Sequence, residues 1–117
     1  MTSFERCRHA LTSDRARALI ESTPGTQIVD VREAHEREQS RFPGSQHTPL
    51  QRLATALDDL DQSRPIIFYC RVGARGGMAA EAFQAIGWEA YNLSGGLMAW
   101  VDAGFDLDPS GAEIAEH

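Results

Sequence analysis

Ile66-Ile67-Phe68-Tyr69 is an apolar run too short for a helix and rich in β-branched and aromatic residues, which predicts a buried strand. It ends at Cys70. A loop with Gly73 at its middle and Arg71 and Arg75 on either side follows. From Gly76 to Ile86, the residues Ala79, Ala82, Phe83 and Ile86 recur at helical spacing. This strand–loop–helix unit restricts the fold more than any other stretch. Strands that alternate with helices predict a parallel or mostly parallel sheet covered on both faces.

The rest of the chain extends the alternation. Ser3 to Leu11 reads as a short strand or extended lead-in, with Phe4 and Cys7 inward. Thr12 or Ser13 caps a helix running to about Glu21, packed through Ala16, Leu19 and Ile20. Pro24-Gly25 turns into a core strand, Gln27 to Val31. Arg32 to Ser45 is polar and shows no clean period. Leu50, Leu53, Leu57 and Leu60 predict one amphipathic helix from Leu50 to Leu60. Gly87 stops the helix after Cys70, and Glu89 to Asn92 reads as another strand. A last helix runs from Gly95-Gly96 to about Asp102 and closes at Gly104. The expected domain is residues 1–107, with 108–117 as a mobile acidic tail. In α/β sheets ligands sit beyond the carboxyl ends of the strands. Both Asp30 and Cys70 end strands, so chemistry is expected on that edge.

A thiol at a helix N-terminus meets unpaired N–H groups and the positive end of the helix dipole. Arg71 and Arg75 add charge that does not titrate near neutral pH. Both effects favour thiolate, which is the nucleophilic form. Gly73 suits a loop whose amides curl inward. The alternative is that Cys70 is a small buried hydrophobe ending a strand. The glycine and the two arginines nearby favour the reactive reading.

The stretch Cys70-Arg-Val-Gly-Ala-Arg75 resembles the active-site loop of the rhodanese family, sulfurtransferases that carry sulfane sulfur as a cysteine persulfide. Asp30-Val31-Arg32-Glu33 is similar to the family's segment after its early core strand. Phe42-Pro43-Gly44 through Pro49-Leu50 is similar to its Ile-Pro-Gly-Ala segment. Asn92-Leu93-Ser94-Gly95-Gly96 through Trp100 is similar to its ending, and Ala103-Gly104 follows at the usual distance. The resemblance implies a rhodanese-like α/β fold with about five strands and helices on both faces. It implies that Cys70 is the catalytic nucleophile and that Arg71, Val72, Gly73, Ala74, Arg75 and Gly76 bind the substrate. Arg75 is the expected charge partner, while Asp30 and Arg32 are supporting residues paired with each other or with nearby backbone. The implied donor is a small anion such as thiosulfate. The acceptor is a thiol, a protein thiol included, or cyanide. No cofactor is implied beyond the Cys70 persulfide. One departure stands out: the family often has Ser or Thr after the closing Arg, capping the helix and bonding the sulfur, and here that residue is Gly76.

Two other functions compete. A Cys…Arg loop before a helix also binds tetrahedral oxyanions, as in phosphatases and arsenate reductases. Related phosphatases, however, have one residue more between Cys and Arg than the four here, Arg71 to Ala74. The other rival is a sulfur-relay or docking module without turnover of small molecules. His47 reads as a surface histidine, with a place at the pocket mouth as the alternative. Cys7 is an open candidate for resolving a Cys70 persulfide. Trp100 is expected in the core and Trp88 at the surface.

Composition excludes several classes. The net charge is −6, with four acids and no base from Asp106 onward, and all eleven cations are Arg. No basic patch interleaved with aromatics supports nucleic-acid binding. No apolar stretch is long enough to span a bilayer. The N-terminal residues lack a signal peptide's apolar stretch, so a cytoplasmic location is expected. Two distant cysteines suggest no disulfide framework, and no His, Cys or acidic spacing suggests a metal.

Overall fold

Every residue of Gln27–Asp30 and of Ile66–Tyr69 is buried, as interior strands covered on both faces must be. A computed structural model describes residues 9–116. The expected lead-in with Phe4 and Cys7 lies largely outside them. Five strands form one all-parallel sheet: β1 (Ala10–Leu11), β2 (Gln27–Asp30), β3 (Gln46–His47), β4 (Ile66–Tyr69) and β5 (Ala90–Leu93). Their spatial order is β1-β5-β4-β2-β3. The helices are α1 (Ser13–Ser22), α2 (Ala34–Gln39), α3 (Ala74–Ala85) and α4 (Gly96–Asp102).

Alternation along the strands makes two cores. Val29, Ile66 and Phe68 face Ala79, Ala80 and Phe83 of α3. Ile28, Ile67 and Tyr69 face Ala16 of α1 and Leu97 and Trp100 of α4. Trp88, expected at the surface, packs edge-on against Phe83, with ring centroids 4.9 Å apart. The buried stripe of α3 is Ala79, Ala80 and Phe83, whereas Ala82 and Ile86 face solvent.

Leu50 to Leu60 is not one α-helix. It forms two 3-10 segments, Leu50–Thr55 and Leu57–Asp59. The Leu50 N–H is already bound to the Val31 carbonyl (3.1 Å), and Arg52 N–H reaches back only to the Pro49 carbonyl (2.8 Å). With three residues per turn the inward line becomes Leu53 and Ala56, and Leu57 is turned outward. The unpatterned Arg32–Ser45 stretch contains α2, started by reciprocal bonds between Glu33 and Glu36. The acidic segment from Asp108 on touches the domain through an antiparallel bridge to Arg41 and through Ile114 on the second core. Among the described residues no helix is long and apolar enough to cross a membrane.

Candidate active site

The strand order places the site. From β2 the chain moves outward to β3, while from β4 it moves the other way to β5. The two connections diverge between β2 and β4, which opens a crevice at their carboxyl ends. Asp30 and Cys70 sit there: Asp30 ends β2, Tyr69 pairs with it in register, and Cys70 follows.

Cys70 carries a free thiol that accepts N–H bonds from Gly73 (3.0 Å) and Gly76 (3.4 Å). Donors aimed at sulfur are placed to stabilise negative charge as it develops there during a reaction. Gly73 is the N-cap of α3 and has φ +110°, which a side chain would strain. Gly76, expected at the cap, is instead the third residue of the helix and is buried. The loop carbonyls are held from the other side. The head of α4 donates Leu97 N–H to the Cys70 carbonyl (3.0 Å) and Met98 N–H to the Arg71 carbonyl (3.1 Å). These bonds fix the 70–71 and 71–72 peptide units, from which the loop runs on to the Gly73 amide at the sulfur. The approach is very close: a Cβ on Gly96 would lie 2.5 Å from both carbonyl oxygens. Cys70 is only 1% exposed, so the sulfur sits in the floor of the site rather than in an open cradle. Exposed Val72 and Ala74 form the rim above it.

A buried ionic network underlies the loop. Asp30 accepts from Arg32 through its backbone N–H (2.9 Å), Nε (2.9 Å) and Nη2 (2.8 Å), and from Tyr69 Oη (3.0 Å) and Arg37 Nη1 (3.3 Å). Burial pushes the Asp30 carboxyl up, but the bonds and charge of Arg32 outweigh it and hold the carboxyl below its usual range. Burial, with the nearby Asp30 charge, drives the Tyr69 hydroxyl up to about 12. It therefore stays protonated and donates to Asp30. Glu36 of α2 is fully buried and grips Arg75 in a two-pronged pair of 2.7 and 3.0 Å. Burial raises the Glu36 carboxyl as well, yet the bond from Arg75 brings it below its ordinary value.

The expected site residues thus divide. Cys70, Gly73 and Gly76 meet at the sulfur, and Asp30 and Arg32 pair beneath it. Arg75 is bound to Glu36, so its charge is shared inward rather than left for an anion. Arg71 has no carboxylate partner among the described residues, and its buried Nε is unbonded. His47 is partly buried and donates to the Arg32 carbonyl (2.8 Å). Cys7 lies outside the described residues. Sequence reasoning missed Glu36 and the contact role of Gly96. The Glu33–Glu36 spacing was the available signal for the first.

The family model for the rhodanese-like domain matches residues 12–103. The chain is 33% identical over 107 residues to the thiosulfate:glutathione sulfurtransferase of Saccharomyces cerevisiae, covering 80% of this chain and 77% of that one. It is 29% identical over 101 residues to the thiosulfate sulfurtransferase GlpE of Pseudomonas savastanoi, covering 86% and 90%. Among solved structures, a rhodanese-like domain protein from Staphylococcus aureus superposes with a TM-score of 0.73 at 26% identity, covering 92% of this chain and 98% of that one.

Proposed function

The chain belongs to the rhodanese-like domain family, and from that membership we propose that it is a sulfurtransferase working through a persulfide on Cys70. The donor is thiosulfate or a similar sulfane anion, and the acceptor is a thiol or cyanide. The observation that carries this reading is the pair of amides, Gly73 and Gly76, turned onto the Cys70 sulfur at the head of α3. The two relatives named for thiosulfate support the choice of donor, and the yeast protein's name supports a low-molecular-weight thiol as acceptor.

In the first half-reaction the Cys70 thiolate attacks the outer sulfur of thiosulfate. The sulfur–sulfur bond of the donor breaks, its electron pair leaves with sulfite, and a cysteine persulfide anion remains. The same two amides hold that anion. In the second half-reaction an acceptor thiolate attacks the terminal sulfur and the Cys70 thiolate leaves. No cofactor enters either step. Because Arg75 is engaged by Glu36, we assign the donor's outer charge to Arg71 at the rim. A thiol that must stay reduced between turnovers suits a cytoplasmic setting.

Mass spectrometry after thiosulfate treatment tests the proposal. Cys70 should gain one sulfur atom, cyanide should remove it, and steady-state kinetics should be ping-pong. A Cys70→Ser chain that still transfers sulfur overturns the reading, as does faster turnover of an aryl phosphate than of thiosulfate. The glycine at 76, where the family often has a hydroxyl, supports one second reading, relay between protein thiols. In that case the persulfide forms and passes to a protein thiol, while cyanide leaves it in place.

A further inference from the structure

Asn92 of β5 carries a carboxamide against the Cys70 loop that the scheme above does not use. It is in register with Phe68 of β4, whose ring meets Phe83 of α3. The Asn92 side chain is likewise on the α3 face, where it touches glycine after glycine. A Cβ on Gly76 would lie 2.4 Å from Asn92 Oδ1; on Gly77 it would lie 3.5 Å, and on Gly73 3.8 Å, from Nδ2. Two of these three glycines donate the N–H bonds to the Cys70 sulfur.

The Oδ1 atom is buried and accepts no hydrogen bond among the described residues. Buried acceptors without donors are costly, and native chains retain few of them. An apolar side chain would fill the same space without that penalty. Stability alone therefore does not account for an amide here, and such local costs are expected where function sets the residue.

We propose that Asn92 is a positioning residue that props the Cys70 loop from below and keeps the Gly73 and Gly76 amides on the sulfur. This rests on reading Cys70 as the sulfur-carrying nucleophile. It also explains Gly76. The carboxamide occupies the volume that a side chain at position 76 would take, so the two positions are coupled. A Cβ at 76 would also lie 3.3 Å from the Phe68 carbonyl oxygen and Tyr69 Cα of β4, so a side chain there must turn the carboxamide aside and press on the strand as well.

The test compares the wild type with Asn92→Ala, Gly76→Ala and the double variant by three measurements. These are the rate of Cys70 alkylation by iodoacetamide at neutral pH, the rate of sulfur loading from thiosulfate, and the melting temperature. Asn92→Ala should slow alkylation at neutral pH about threefold and sulfur loading about tenfold. Its melting temperature should be unchanged or raised. Gly76→Ala should show losses of similar size, and the double variant should be no worse than Gly76→Ala alone. A lowered melting temperature in Asn92→Ala with an unchanged alkylation rate would make Asn92 a mere space-filler and overturn the proposal. Losses that multiply in the double variant would overturn it too. Alkylation does not depend on sulfur chemistry. If alkylation slows as expected but thiosulfate never loads the wild type, the positioning role stands and the sulfurtransferase reading fails.

Discussion

Gly96→Ala should abolish most of the activity while leaving every residue of the loop in place. The new Cβ would meet the Cys70 and Arg71 carbonyl oxygens at 2.5 Å and the Arg71 carbonyl carbon at 2.6 Å. All three are backbone atoms, so no side chain can swing aside to relieve the contact. Gly96 also has φ +61°, a left-handed conformation that costs an alanine about 1–2 kcal/mol. Overpacking adds about 1–3 kcal/mol. The relief available is for α4 to back away from the loop, which breaks the Leu97 and Met98 bonds and releases the carbonyls they hold. With the 70–71 and 71–72 peptide units released, the segment that carries the Gly73 amide loses its anchor and the donor moves off the sulfur. Displacing donors of this kind costs a reaction about a hundredfold or more. Gly104→Ala is the matching control. It too has a positive φ, +92°, but a Cβ there would have nothing within 4 Å. It should lose about 1 kcal/mol of stability from backbone strain and keep sulfur loading within about twofold of the wild type. Denaturant melts and thiosulfate loading read both effects. Equal activity in the two variants would show that α4 does not set the loop.

The contrast between these glycines marks where sequence reasoning stops. The central strands were legible because strands buried on both faces are unbroken apolar runs, and Ile66–Tyr69 is one. The Cys70 loop was legible because thiol, arginine and glycine are informative residue types close together in the chain. Gly95-Gly96 was visible as part of a motif, but its contact with the loop carbonyls exists only once β4 and β5 lie side by side. Glu36 was harder still. Its helix has six residues, too few to show a period. Its partner Arg75 is 39 positions away. A carboxylate in a polar stretch reads as solvated until the fold buries it. The 3-10 geometry of Leu50–Thr55 was hidden for another reason. Leucines at 50, 53, 57 and 60 fit an α-helix well, and what decided otherwise was a backbone bond from Leu50 to Val31.

Asp30→Asn should destabilise the fold strongly although it is isosteric. The substitution keeps volume but removes the one carboxylate bound to Arg32 among the described residues, and the Arg32 side chain is wholly buried. The amide oxygen can still accept from Arg32 Nε, but the new NH2 group would face Arg32 Nη2 donor to donor, leaving that nitrogen the Ser40 carbonyl (2.6 Å) alone. Removing one partner of a buried pair costs about 3–5 kcal/mol, a large share of the roughly 5–15 kcal/mol that a domain has. The effect should depend on pH in a definite direction. Asp30 and Glu36 both have lowered folded-state values. Each therefore contributes stability that is fully present above its unfolded pKa, about 4, and lost as pH falls through the lower folded value. Wild-type stability should hold from neutrality to about pH 4 and then drop steeply. Asn92 and Gly96 play no part in this limb, because neither titrates. In Asp30→Asn the Asp30 share of the limb is missing. The stability gap between wild type and variant should be widest near pH 7 and narrow below about pH 4, first as the unfolded wild-type chain takes up the proton and then, through the lower folded value, as the native carboxyl does. Urea melts at pH 7 and pH 3 measure the gap directly. A gap of the same size at both would mean that Asp30 acts through shape and hydrogen-bond count, with its charge contributing nothing to holding Arg32 beneath the loop.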